Sequence, residues 1–173
     1  IVLDTETTGT DAQRGDRIIE IACIELINRQ ITGSTFHCYL NPERDSHPEA
    51  LKVHGLSTAF LADKPLFSEI APRFLDYVRG AEVIAHNAAF DVAFLDAELA
   101  RCTPSPGLLR DHVAAIIDTY HIARERFPGE RASLDALCKR FDVDSSGYDD
   151  LHGAMHDAQL LAEVYLAMTR QAP

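Results

Sequence analysis

A chain of 173 residues, 46% hydrophobic and 25% charged, has the size and balance of one ordinary folded domain, which sets disordered and fibrous classes aside. No apolar run approaches the roughly 20 residues that a membrane-spanning helix requires, and no signal peptide is expected. The net charge of −11 argues against a protein that wraps a duplex, since phosphate contacts ask for Lys and Arg. It is compatible with one that grips a strand terminus and leaves divalent cations to neutralise the phosphates.

Ile1–Thr5 reads as a short buried strand halted by Thr7-Thr8-Gly9, and a strand that opens on the first residue implies a natural protein that begins slightly earlier. A polar loop, Thr10–Asp16, leads to a second strand over Arg17–Leu26. A turn at Asn28-Arg29-Gln30 then returns the chain as a third strand, Thr32–Leu40, which makes an antiparallel meander. Proline, histidine and acidic residues from Asn41 to Pro65 mark a long irregular stretch with one helical turn at Glu49–Val53. Phe67–Arg79 carries Ile70, Phe74, Leu75 and Val78 at helical spacing and stops at Gly80. A short strand, Glu82–Ala85, precedes a helix with Asn87 as its N-cap that runs to Leu99. The spacing then predicts a strand over Ala114–Thr119, helices near Tyr120–Phe127 and Ser133–Phe141, and a last helix over Gly153–Thr169. Residues 1–173 thus form a single α/β domain without repeat or linker. The four cysteines, Cys23, Cys38, Cys102 and Cys138, include no C-x-x-C pair, so reduced, packed thiols in a cytosolic protein are expected.

Asp4 and Glu6 stand at the exit of the first strand. Residues i and i+2 of a strand share a face, so the two carboxylates lie side by side and repel unless a cation sits between them. Asp91, in His86-Asn87-Ala88-Ala89-Phe90-Asp91, falls in the first turn of a helix, and Asp157 opens the last helix among Ala154, Ala158 and Leu161. His152 lies five residues before Asp157, after the Gly- and Asp-rich run Ser145–Asp150. Each feature has a plainer reading taken singly: a polar strand end, a charge suited to a helix dipole, an idle loop histidine. Together they supply what hydrolysis of a phosphodiester by two metal ions needs, a set of clustered acids and a base.

These residues sit in blocks that closely resemble the DnaQ-like, or DEDDh, 3′→5′ exonucleases. The blocks are I-V-L-D-T-E-T-T-G (Ile1–Gly9), P-E-A-L-K-V-H-G (Pro48–Gly55), H-N-A-A-F-D (His86–Asp91), S-L-D-A-L-C (Ser133–Cys138) and L-H-G-A-M-H-D-A-Q-L-L-A-E-V-Y-L-A-M (Leu151–Met168). They occur in family order over the whole chain, and within the family they are most similar to the proofreading subunits of bacterial replicative polymerases.

The resemblance implies a ribonuclease H-like fold, a mixed five-stranded sheet flanked by helices. It implies two divalent cations, Mg²⁺ or Mn²⁺, with Asp4 bridging both, Glu6 and Asp157 completing the tighter site, and Asp91 acting close by. His152 would be the general base, because Gly153 stands where the tyrosine subclass carries its Tyr. Thr7, Glu49, His54, His86, Asn87 and Phe90 fall where relatives hold the terminal nucleotide. The expected reaction removes 5′-monophosphates from a single-stranded or frayed 3′ DNA end in the bacterial cytoplasm, at the nucleoid or replisome. A polymerase subunit is the expected partner, through a tail that the chain lacks after Pro173. His156, where an aliphatic residue is expected, offers a second possible base or ligand. An RNA-trimming exonuclease of the same fold and a non-catalytic interaction module are the alternatives; retention of all four acids weighs against the module.

Overall fold

The three amino-terminal strands, β1 (Val2–Thr7), β2 (Ile18–Ile27) and β3 (Gln30–Tyr39), form the antiparallel meander expected from the sequence. In this computed structural model, which describes residues 1–146 and 153–170, β4 (Glu82–Ala85) and β5 (Ala115–Asp118) continue the sheet beyond β1. They run parallel to β1, so the strand order is β3-β2-β1-β4-β5. Asn28 and Arg29 both take positive φ, 51° and 64°, the two-residue hairpin turn whose twist matches the flanking strands. Gln30, expected in that turn, already pairs with Ile27.

Alternation along β1 assigns its two faces. Leu3 packs with Phe67, Phe74, Phe94 and Leu95 beneath α3 (Phe67–Val78) and α4 (Ala88–Arg101). Val2 packs with Ala22, Ile84, Ala158 and Leu161 beneath α7 (Ala154–Met168). A third apolar cluster joins α7 to α5 (Thr119–Arg126) and α6 (Leu134–Arg140) through Ala123, Leu137, Cys138 and Val164. Two helical layers therefore sandwich the sheet, and β1 at its centre carries its last residues to the edge of both.

The stretch from Asn41 to Pro65 is more ordered than its composition suggested. α1 (Pro48–His54) starts on Pro48, a position where the missing N–H costs nothing, and ends at Gly55 with φ of 67°. α2 (Thr58–Leu61) is capped by Ser57, whose hydroxyl accepts from Phe60 N at 3.1 Å. Asn87 precedes α4 but does not cap it with its side chain: its backbone is left-handed, with φ of 64°. Its N–H instead donates to Asp118 Oδ1 at 2.9 Å, tying the start of α4 to the end of β5. All four cysteines are free, and burial pushes the Cys38 thiol up to about 11, which makes it a packing group rather than a nucleophile.

Candidate active site

β1 delivers Asp4 and Glu6 to the face covered by α7, and Asp157, the fourth residue of α7, meets them there. Each of the three acids presents a carboxylate oxygen within 4.8 Å of the others. Asp91 comes from the first turn of α4, on the opposite side of the sheet, and Thr5 reaches it: Thr5 Oγ1 donates to Asp91 Oδ1 at 2.6 Å. The period of two along β1 thus sorts the site, with Asp4 and Glu6 turned to α7 and the intervening Thr5 turned to α4.

The electrostatics follow from crowding acids into a shielded place. Burial pushes the Asp4 carboxyl well above the ordinary carboxylate range, and the charges of Asp91, Glu6 and Asp157 push it further. Burial raises Glu6 to about 9, with Asp157, Glu20 and Asp91 adding to the shift. Asp91 is raised to about 7 by burial, against the opposing pull of the Thr5 hydrogen bond. Close, mutually repelling oxygen donors of this kind are what a hard divalent cation relieves, so the donor set fits such an ion.

Beside the acids opens a cleft of about 910 Å³. Glu6, Thr7, Glu49, His54 and Phe90 line it together with Gly9, Arg14, Asp16, Arg44 and His47. His54 is buried in this wall, where burial lowers its pKa. Its Nδ1 accepts from Leu56 N at 2.9 Å, and its Nε2 has no hydrogen-bond partner among the described residues. Phe90 packs on Phe94 at a ring-centroid distance of 4.8 Å and shows its other side to the cleft.

Among the residues expected to hold a nucleotide, His86 and Asn87 stand outside this lining. The His86 ring is spent on the scaffold, with Nδ1 2.8 Å from Thr119 Oγ1 and Nε2 2.7 Å from the Ala132 carbonyl oxygen. His152 lies outside the described residues. His156 is half-buried, one position before Asp157 on α7.

Several residues that shape the site escaped the sequence reading. Asp16 is buried and gathers the loop after β1. It accepts from Thr8 Oγ1 at 3.0 Å and from Asp11 N at 3.1 Å, and pairs with His47 Nε2 at 3.2 Å. Gly9 lies against Asp16 and His47, and any side chain there would collide with both. Arg17 makes a two-pronged pair with buried Glu98, at 2.5 and 2.8 Å, which locks α4 to the start of β2. The T-T-G triplet was the visible signal for the Gly9 contact; nothing local marked Asp16 or Glu98.

The exonuclease family model matches residues 1–165. The chain is 55% identical over 98% of its length to the DNA polymerase III subunit epsilon of Rickettsia typhi, covering 73% of that protein. It is 51% identical over 98% of its length to the same subunit of Escherichia coli K12, covering 70% of it. Among solved structures it resembles exonuclease X in complex with 5′-overhanging duplex DNA, with a TM-score of 0.74 and 28% identity over 96% of this chain and 89% of that one. Exonuclease I of E. coli, in complex with a dT13 oligonucleotide, shares the fold at a TM-score of 0.78 and 17% identity, over 95% of this chain and 39% of that one. The chain, with its ribonuclease H-like fold, belongs to the exonuclease family.

Proposed function

We propose that the acid cluster at the end of β1 is the catalytic centre of this exonuclease. The protein is a metal-dependent 3′→5′ exodeoxyribonuclease that releases 5′-mononucleotides and proofreads for a replicative DNA polymerase. The observation that carries the assignment of the site is the convergence of Asp4, Glu6 and Asp157 within 4.8 Å, beside a cleft large enough for a nucleotide.

In this reading Asp4, Glu6 and Asp157 hold two divalent cations, Mg²⁺ or Mn²⁺, and Asp91 supports them from the α4 side. When bound, such ions polarise the scissile phosphate, lower the pKa of water and stabilise the leaving 3′ oxygen. The residues of the chain do the rest. His152 takes a proton from the attacking water, a role that suits an imidazole at neutral pH. Thr7, Glu49 and His54 bind the terminal nucleotide. Phe90 offers its ring to the base, a contact indifferent to sequence because every base has a π-face. His86 and Asn87 fix the start of α4 to the end of β5 and to the α5–α6 segment, through Thr119, Ala132 and Asp118.

The substrate is a single-stranded or frayed 3′ end, consistent with an acidic chain that has little to hold a duplex with. A polymerase subunit is the proposed partner, and the bacterial cytoplasm, at the replisome, the proposed location. The test compares a 3′-mismatched DNA primer with an RNA oligomer of the same sequence, each with Mg²⁺ and then with EDTA. Rapid, EDTA-sensitive trimming of the DNA supports the reading; faster trimming of the RNA would overturn the assignment of DNA as substrate.

A further inference from the structure

Glu20 is a buried acid, 2% exposed, that the four-acid set leaves out. It sits on β2 directly across from Glu6, and Tyr39 on β3 sits across from it in turn, so Glu6, Glu20 and Tyr39 form one row over three strands. Both of its oxygens are committed. Oε1 accepts from the N–H of Ala154, the first residue of α7, at 2.9 Å. Oε2 lies 2.6 Å from His37 Nε2. The His37 and Tyr39 rings pack edge to face, with centroids 5.0 Å apart. A carboxylate at a helix start satisfies an orphan N–H and suits the helix dipole, yet this one comes from a strand 134 residues away in sequence rather than from a cap residue. Gly153, at the cap position, has no side chain to do the job.

We propose that Glu20 is a positioning residue for the exonuclease reaction: it pegs the start of α7 to the sheet and so sets where Asp157 meets Asp4 and Glu6. The inference rests on the catalytic reading of those three acids. The peg acts three residues before Asp157, within the same first turn of α7, so its loss would be felt at that carboxylate. His37, its ring packed on Tyr39, holds the carboxylate in the orientation that reaches Ala154. A rigid, hydrogen-bonded outer shell of this kind orients the groups that ligate a cation, and its loss typically weakens binding or activity 10- to 100-fold.

Two conservative variants separate reach from charge. Glu20→Gln keeps the length and an acceptor for Ala154 N but loses the charge. Glu20→Asp keeps the charge but draws the oxygens back by one methylene. The positioning role predicts that the Gln protein stays near wild type, while the Asp protein loses on the order of tenfold or more in kcat with KM for a DNA oligonucleotide little changed. Hydrogen exchange in EDTA gives a readout independent of turnover: amides at the start of α7 should exchange faster in the Asp protein and at the wild-type rate in the Gln protein. An Asp protein as active and as protected as wild type would overturn the proposal. So would a Gln protein as impaired as the Asp one, since charge and not reach would then matter. Asp4→Ala and Asp157→Ala run alongside: if these keep activity, the catalytic reading itself has failed, whereas inactive Asp4 and Asp157 variants with a healthy Glu20→Asp sink only the role of Glu20.

Discussion

Replacing Glu6 with Gln should flatten the pH dependence of the metal-free protein's stability. The Glu6 carboxyl is raised from an ordinary value of 4.5 to about 9 in the folded chain, chiefly by burial and then by Asp157, Glu20 and Asp91. Because the folded value is the higher one, the native protein still holds this proton where the unfolded chain has released it, and stability falls as pH rises between the two values. From about pH 5 to about pH 8 the loss from this one group is about 4 kcal/mol, at ~1.36 kcal/mol for each pH unit over which only the native state is protonated. Urea unfolding in EDTA, followed by circular dichroism at both pH values, measures it. Wild type should be markedly less stable at the higher pH, and Glu6→Gln should lose much less. Mn²⁺ at about a hundred times its dissociation constant should restore about 2.7 kcal/mol to wild type and less to the variant, which has lost a ligand. The same pH dependence in both proteins would refute the picture of Glu6 as a shielded acid held among like charges.

Thr5→Val removes the 2.6 Å bond that favours ionised Asp91, so the acidic limb of the pH–rate profile should move to higher pH, with activity recovering in alkaline buffer; a uniform loss at all pH values would count against it. His152→Ala should lose activity on the order of a hundredfold, the usual worth of a general base, while His156→Leu should stay near wild type and keep its acidic limb; the reverse pattern would move the base to position 156. A mismatched 3′ terminus should be trimmed about tenfold faster than a paired one, because freeing the last pair costs about 1.4 kcal/mol; equal single-turnover rates would contradict the preference for frayed ends.

The sequence made the site legible where chemistry and period coincide. Asp4 and Glu6, two apart on an apolar strand, already implied a shared face; the family blocks added Asp157 to them, and the three converge within 4.8 Å. What stayed hidden depends on long-range pairing. Glu20 reads as one acid among 27 until β2 is set against β1 in register, when it falls opposite Glu6. Thr5 looks like a spacer until α4 packs on the other face of the sheet and brings Asp91 to it. The His86 imidazole invites a substrate role by its motif, but its partners Thr119 and Ala132 are 33 and 46 residues away, beyond any local pattern. α1 was legible as the turn at Glu49–Val53, but α2 was obscured by the polar, proline-bearing composition of its segment, since a four-residue helix capped by Ser57 carries little apolar period.

The most direct test of the catalytic account is product analysis on one oligonucleotide. A 5′-labelled single-stranded DNA is incubated with Mn²⁺ and wild type, Asp4→Asn or Asp157→Asn, and both the labelled ladder and the released nucleotides are resolved. Wild type should shorten the strand from its 3′ end one step at a time and release 5′-mononucleotides only, while both variants, folded by circular dichroism, leave the strand intact. Comparable ladders from the wild type and either variant would place the chemistry outside the cluster of Asp4, Glu6 and Asp157.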